Sequence, residues 1–189
     1  MRKIKLQMQM TINGYVGGLN GENDWMTWNP DDEFLAFLNS LVASSDTLLL
    51  GRKLASSGFI EHWENTAKNN PEHPFAKEIA EIQKIVFSKT LDKSIWANTT
   101  LAKGNLSEEI ANLKKENGKD ILVFGGAGFV SSLIKEGLID EYHLIMNPTA
   151  MGNGMTIFNS LDKIQKFTPI QSKLFSGGKT VLSYKPKND

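Results

Sequence analysis

The chain contains no cysteine, no excess of either charge and no long apolar run. Without cysteine it can form no disulfide, no thiolate nucleophile and no cysteine-based metal site. Because 21 Lys and Arg residues balance 21 Asp and Glu residues, the basic surface of nucleic-acid and membrane-surface binders is not expected. The charged start, Met1 to Leu6, lacks the apolar core of a signal peptide. These absences predict a cytoplasmic protein with no nucleic-acid or membrane partner.

The pattern that is present predicts one α/β domain covering all 189 residues. Apolar residues alternate with polar ones from Ile4 to Ile12, which predicts a strand. The other predicted strands cover 47–50, 84–88, 99–102, 121–124, 139–147, 164–175 and 179–185. Helical patterns separate most of these strands, as in βαβ units. We therefore expect a mixed, mostly parallel sheet flanked by helices and completed by a C-terminal antiparallel hairpin.

Three local signals set expectations for helix starts, loops and turns. Asn29 followed by Pro30 predicts a helix N-cap and first turn, with acidic residues on the positive end of the helix dipole. Residues 61–73 are predicted to be an exposed loop between short helices at 52–60 and 74–82. Gly177-Gly178 predicts the tight turn of the terminal hairpin.

The strongest chemical signal is the segment from Ile121 to Val130, in which an apolar strand enters a glycine cluster and then a helix. Free backbone N–H groups at a helix N-terminus attract phosphate, and glycine lets a diphosphate approach the main chain. The cluster Gly125-Gly126-Ala127-Gly128 departs from the dinucleotide-binding fingerprint, because Ser131 stands where its third glycine is expected. The alternative is a tight turn that needs only small residues.

Two further strand ends carry groups suited to an anion. Gly51 is followed by Arg52 and Lys53, and Arg can hold a phosphate with two hydrogen bonds. Ser88-Lys89-Thr90 combines two hydroxyls and a cation at the end of the next strand, which suits a 2′-phosphate. Taken singly, such basic residues after strands are usually solvated surface, but three strand ends of this kind in one chain favour an anion site.

The loop over residues 13–29 is rich in aromatic and acidic side chains. It carries Tyr15, Trp25 and Trp28, with Asp24 inside it and Asp31-Asp32 just after it. Such a loop would line a pocket for a planar heterocycle, or it would be a partly buried surface loop before a capped helix. The histidines lack metal-ligand spacing, and no serine-nucleophile motif is present, so we expect no metal site and no serine hydrolase.

The ordered set of motifs resembles the dihydrofolate reductase-like superfamily, and within it the reductase domain at the C-terminus of bacterial RibD proteins of riboflavin synthesis. The matching segments are Met10 to Val16, Asp24-Trp25, Leu50 to Lys53, Lys84 to Leu91, Gly125 to Gly128, and Leu138 to Phe158. The last segment is the most specific, since it combines Asp140-Glu141, Pro148, Gly152 and Gly154 at fixed spacing. The resemblance covers nearly the whole chain.

The resemblance implies a dihydrofolate reductase-like fold, NADPH as the cofactor and a homodimer. It places the adenosine end and 2′-phosphate at Gly51, Arg52, Lys53, Ser88, Lys89 and Thr90, and the diphosphate at Gly125 through Val130. It places Asn13, Gly14, Trp25, Pro148 and Gly152 near the nicotinamide and substrate. Asn13 departs from the family, which usually has Asp there, and the zinc ligands of the RibD deaminase half do not occur in this chain, so no deamination is expected.

The function expected from these features is an NADPH-dependent reductase acting on a small heterocycle, resembling 5-amino-6-(5-phosphoribosylamino)uracil reductase. The candidate proton sources are Asp24, Asp32 or an ordered water molecule. The alternatives are a dihydrofolate (pterin) reductase, a nucleotide-binding protein without catalysis, and an oligomeric scaffold without a ligand.

Overall fold

A computed structural model describes residues 1–187 and contains one eight-stranded sheet. Its strands are β1 (Ile4–Thr11), β2 (Ser45–Gly51), β3 (Gln83–Phe87), β4 (Thr99–Ala102), β5 (Asp120–Gly125), β6 (Glu141–Asn147), β7 (Phe167–Leu174) and β8 (Thr180–Pro186). They lie in the order β4-β3-β2-β5-β1-β6-β8-β7. The six strands from β4 to β6 in this order are parallel to one another. Strand β8 is antiparallel to β6, and β7 is antiparallel to β8. The predicted mixed sheet with a terminal antiparallel hairpin is confirmed.

Helices cover both faces of the sheet. They are α1 (Asp32–Ala43), α2 (Arg52–Leu54), α3 (Ile60–Asn69), α4 (Ala76–Glu81), α5 (Leu106–Lys115) and α6 (Ala127–Lys135), and a π-helical turn at Ala55–Phe59 joins α2 to α3. The even residues of β1, such as Leu6, pack with α5 and α6, whereas α1 packs with a second cluster on the opposite face. None of the helices in the described range has both the length and the apolar character needed to cross a bilayer.

Helix α1 begins later than the sequence pattern suggests. Its N-cap is Asp31, whose carboxylate accepts a hydrogen bond of 2.7 Å from the Phe34 N–H, so the predicted cap at Asn29 is wrong. The same carboxylate accepts hydrogen bonds from the Ser176 hydroxyl at 2.6 Å and the Gly177 N–H at 3.0 Å. Asp31 therefore joins the start of α1 to the β7–β8 hairpin, and this distant contact selects it over Asn29. These hydrogen bonds lower the pKa of Asp31 to about 2.

The predicted loop at 61–73 is wrong, because most of it is helix α3. This helix is largely exposed and is anchored by few residues. Ile60 is fully buried, and the Trp63 ring lies 5.4 Å from that of Phe75, just before α4. This mostly polar segment is thus held as a helix because the Trp63 ring packs against Phe75, a residue outside the helix.

The terminal hairpin turns one residue earlier than predicted. Its turn is closed by a hydrogen bond of 2.9 Å from the Gly178 N–H to the Phe175 carbonyl, so Ser176 and Gly177 occupy the centre. Gly178 follows with φ of +87°, a conformation that glycine adopts without strain. The residue after this turn, Lys179, is brought into the interior of the protein.

Candidate functional site

A large cleft opens where the parallel strands β1, β2 and β5 end, which is the edge at which open α/β sheets bind ligands. Its volume is about 1450 Å³, enough for a dinucleotide and a second small molecule. One wall is formed by the glycine cluster and the start of α6, and another by the apolar face of α1. The loop that follows β1 contributes Val16, Leu19, Asn20, Gly21, Asn23, Met26 and Trp28.

The glycine cluster ends in a helix N-terminus with free donors. Gly125 has φ of +135°, and Gly126 caps α6 without a side-chain hydrogen bond. The first hydrogen bond of this helix runs from the Val130 N–H to the Gly126 carbonyl, at 3.0 Å, so the N–H groups at 127–129 have no partner within the helix. A Cβ added at Gly128 would meet no atom within 4 Å. The wall therefore presents backbone donors to an anion across open space.

Gly51 allows α6 to approach the end of β2. A Cβ at Gly51 would lie 2.7 Å from Cβ of Phe129 and 3.4 Å from the Gly126 nitrogen, so only glycine fits there. The Phe129 ring in turn stacks on Phe87 at a centroid distance of 4.9 Å. The predicted cofactor residues Gly51, Arg52, Lys53 and 125–129 all line the cleft. Val130 does not, because its side chain is buried in the core.

The third predicted anion group, Ser88-Lys89-Thr90, lies outside the cleft lining. The Ser88 hydroxyl is buried and accepts hydrogen bonds from the N–H groups of Thr90 at 3.2 Å and Leu91 at 3.0 Å. Lys89 and Thr90 are exposed. Ser88 therefore holds its own loop in place, and Phe87 is the β3 residue that reaches the cleft.

The predicted catalytic acids also lie outside the cleft lining. Asp24 is exposed, and Asp32 is exposed in the first turn of α1. Trp25 is buried, and its indole N–H donates a hydrogen bond of 3.1 Å to the Glu22 carbonyl, which makes it an anchor of the loop. No Asp, Glu or His within residues 1–187 lines the cleft, whose charged lining residues are Arg52, Lys53 and Lys179.

The remaining predicted substrate residues are not among those that line the cleft. The Asn13 side chain donates a hydrogen bond of 2.7 Å to the Met151 carbonyl and accepts one of 3.2 Å from the Met151 N–H. Gly14 occupies a turn with φ of +88°, and Pro148 and Gly152 are exposed. Asn13 thus ties the end of β1 to the segment after β6. The residues of that segment that line the cleft are Gly154, Met155, Thr156, Asn159 and Ser160.

Sequence reasoning missed the polar floor of the cleft. Gln7 and Gln9 of β1 line it, together with Lys179, whose side chain is only 1% exposed. The Lys179 ammonium donates a hydrogen bond to Oδ1 of Asn147, whose Nδ2 donates one of 2.8 Å to Oε1 of Gln9. The available signal was the polar half of the β1 alternation, which faces α1 and not solvent.

Sequence reasoning also missed an aromatic wall. Phe59, Trp63, Phe75 and Phe124 all line the cleft. The Phe59 ring lies 5.9 Å from that of Phe124 and 6.3 Å from that of Trp63, in edge-to-face arrangements. Flat aromatic surfaces of this kind bind planar rings well. No local pattern links these residues, because they come from three separate segments.

The topology, the strand-end cleft and the uncapped α6 together define an α/β protein with a ligand cleft at the carboxyl ends of its parallel strands. A family model, the RibD C-terminal domain, matches residues 2–181, and the chain belongs to this family. The uncharacterized protein YyaP of Bacillus subtilis (strain 168) is 32% identical over 187 residues, which cover 97% of this chain and 94% of YyaP.

Solved structures share the fold. A putative riboflavin biosynthesis protein from Shewanella sp. PV-4 aligns over 100% of both chains with a TM-score of 0.71 and 24% identity. A diaminohydroxyphosphoribosylaminopyrimidine deaminase/5-amino-6-(5-phosphoribosylamino)uracil reductase from Thermotoga maritima aligns over 98% of this chain and 57% of its own, with a TM-score of 0.66 and 16% identity. The predicted RibD-type, dihydrofolate reductase-like fold is confirmed.

Proposed function

We propose that the protein is an NADPH-dependent reductase of a small heterocyclic substrate, similar in reaction to 5-amino-6-(5-phosphoribosylamino)uracil reductase. The observation that carries this proposal is the uncapped N-terminus of α6, whose free N–H groups face the cleft beside glycines. Membership of the RibD C-terminal family supports the same class of reaction.

The residues present fit a dinucleotide. The N–H groups at 127–129 would hold the diphosphate, and Gly128 leaves the open space that such an approach needs. Arg52 and Lys53 would bind the 2′-phosphate and adenosine end. When bound, NADPH supplies the hydride, so the protein's own task is to position the two reactants.

The substrate would lie over the polar floor, beside the aromatic wall. The rings of Phe59 and Trp63 would contact one face of a planar heterocycle. Gln7 and Gln9 offer amide groups to its polar edge. The α1 side chains Leu38, Leu41 and Val42 exclude water from this half of the cleft. Asp24 and Asp32 stay predictions as proton donors.

The lack of acidic and histidine side chains in the cleft lining, within the part of the chain described, favours one alternative. A nucleotide-binding protein without catalysis needs no general acid. Turnover separates this alternative from the reductase, because both bind NADPH.

We also propose a homodimer, supported by the exposed Ile170 and Leu174 on the edge strand β7, which sedimentation would test. A cytoplasmic location stays a prediction.

The test is a titration with NADPH and, separately, with NADH, followed by tryptophan fluorescence. Trp28 and Trp63 line the cleft and would report binding. We expect saturable binding with a preference for NADPH, followed by NADPH oxidation when pyrimidine, pterin and carbonyl substrates are screened. A folded protein that binds neither dinucleotide would overturn the proposal. Binding without oxidation of NADPH by any substrate would favour the non-catalytic alternative.

A further inference from the structure

Lys179 is a buried cation on the floor of the cleft. Its side chain is 1% exposed, yet it lines the cleft. Its ammonium donates to Oδ1 of Asn147 and, at 3.5 Å, to the Thr27 hydroxyl, and it lies 5.8 Å from the centroid of the Phe34 ring. An ammonium has three donors. Two have partners, and the third has none within residues 1–187.

The charge of Lys179 has no counter-charge. No carboxylate of the described residues forms an ion pair with it, and burial alone lowers the pKa of Lys179 below its ordinary value. Buried ammonium groups are normally paired, because removing them from water is unfavourable. The buried charge of Lys179 therefore lowers the stability of the ligand-free protein. An anion bound beside Lys179 would offset this effect.

A second polar group on the same floor also lacks a partner. Gln7 is 8% exposed, lines the cleft and makes no side-chain hydrogen bond to any residue in the described range. Its neighbour on the same face of β1, Gln9, accepts the hydrogen bond from Asn147 that links it to Lys179. The floor thus presents the Lys179 ammonium and, at a separate position on β1, the Gln7 amide to a molecule in the cleft.

Lys179 lies far from the diphosphate wall, by which we mean the glycine cluster and the N-terminus of α6. Lys179 immediately precedes β8, and three strand spacings lie between β8 and β5, where the glycine cluster begins. At about 4.8 Å per spacing the two are roughly 14 Å apart. An anion at Lys179 would therefore belong to the second molecule in the cleft and not to the diphosphate.

We propose that Lys179 forms an oxyanion subsite that restricts the substrate of this reductase to molecules bearing a carboxylate or phosphate group. The inference rests on the proposed function, because it describes the substrate half of the same cleft. Lys179 acts in binding and specificity, and its charge is neutralised only when an acidic substrate is bound.

The test compares probes that differ in charge. Orotate carries a carboxylate on the uracil ring, uridine 5′-monophosphate carries a phosphate, and uracil is neutral. Binding to the full chain is measured by calorimetry with saturating NADPH, which occupies the diphosphate wall. We expect at least one anionic probe to bind at least about tenfold more tightly than uracil, the ratio for one charge-assisted hydrogen bond. The preferred probe identifies carboxylate or phosphate as the source of the oxyanion.

Two lysine variants isolate the charge. Lys179→Met removes it with little change in length, and we expect the preference for the anionic probe to disappear. Lys185→Met removes an exposed charge on β8 and should retain the preference. The thermal midpoint of Lys179→Met should be unchanged or higher, because an unpaired buried charge is lost. A purely structural lysine would instead lower the midpoint and leave the preference intact.

Either of two results would overturn the inference: no preference for an anion in the natural protein, or an unchanged preference in Lys179→Met. Neither result bears on NADPH binding, which is measured separately. If NADPH itself fails to bind, the comparison is repeated in an Arg52→Gln background, so that the anionic probes have one cation fewer at the other end of the cleft. The proposed function then fails while the oxyanion subsite is still judged by the same two variants.

Discussion

Replacing Gly128 with Ala in the glycine cluster is expected to raise the stability of the protein and to weaken cofactor binding. Gly128 lies in the first turn of α6, and a Cβ there meets no protein atom within 4 Å. Alanine is the better helix residue, so we expect the free energy of unfolding to rise by about 0.5–1 kcal/mol. For a chain of this size that corresponds to an increase of about 1–4 °C in Tm.

NADPH affinity should change in the other direction. The added methyl group occupies the space through which a diphosphate reaches the N–H groups at 127–129. Losing one charge-assisted hydrogen bond, worth about 1.5–3 kcal/mol, weakens binding roughly 10- to 150-fold. Fluorescence titration and thermal unfolding of the same preparation measure both quantities.

Gly51→Ala is the matched contrast, because its Cβ would lie 2.7 Å from Cβ of Phe129. Overpacking of this kind should lower the free energy of unfolding by about 1–3 kcal/mol. Both variants then weaken NADPH binding, but only Gly51→Ala destabilises the protein. If Gly128→Ala binds NADPH as tightly as the natural chain does, the diphosphate does not bind at this wall, and the reasoning from the free N–H groups is refuted.

Three other perturbations test separate parts of the molecule. Arg52→Gln should reduce the preference for NADPH over NADH about tenfold or more, as the loss of a charge-assisted contact to a 2′-phosphate requires; equal losses for both dinucleotides would place the 2′-phosphate elsewhere. Asn13→Asp keeps the acceptor but loses the donor to the Met151 carbonyl, so denaturant unfolding should show a loss of about 1 kcal/mol, and no loss would mean that this link is not stabilising. The Asp31 carboxylate has a lowered pKa in the folded state, so its stabilising effect is present above about pH 4 and is lost as the pH falls through about 2; acid unfolding of Asp31→Asn should lack this component.

The sheet and the glycine wall could be predicted because their signals are local. The alternation in β1 and the apolar runs before Gly51 and Gly125 specify strands by themselves, and parallel strand ends must meet at one edge. Arg52 and the cluster at 125–128 therefore reach the cleft as expected. The same reasoning did not reveal that the Ser88 hydroxyl is engaged by its own loop, and a cofactor contact at Ser88 stays a prediction.

The substrate half of the cleft could not be predicted because distant segments build it. Lys179 follows a glycine turn, where a lysine is normally solvated, and it is buried because the hairpin is held against the start of α1 by Asp31. Trp63 lies in a segment whose sequence predicts an exposed loop, and only the structure shows that its ring packs against Phe75. The polar residues of β1 were a visible signal, but the sequence alone does not show that α1 covers them and so makes them the floor of a cleft.

The central place of β1 has a consequence for how the chain is made. Its neighbours are β5 and β6, and the last of their residues, Asn147, follows Thr11 by more than one hundred positions. At about 5–20 residues per second, a ribosome takes roughly 7–27 s to add the residues that separate them. Until β5 has been made, which takes most of that time, the first strand has neither of its partners, and the nascent chain must carry an unpaired strand. The centre of the sheet, and with it the floor of the cleft, is therefore completed only late in synthesis.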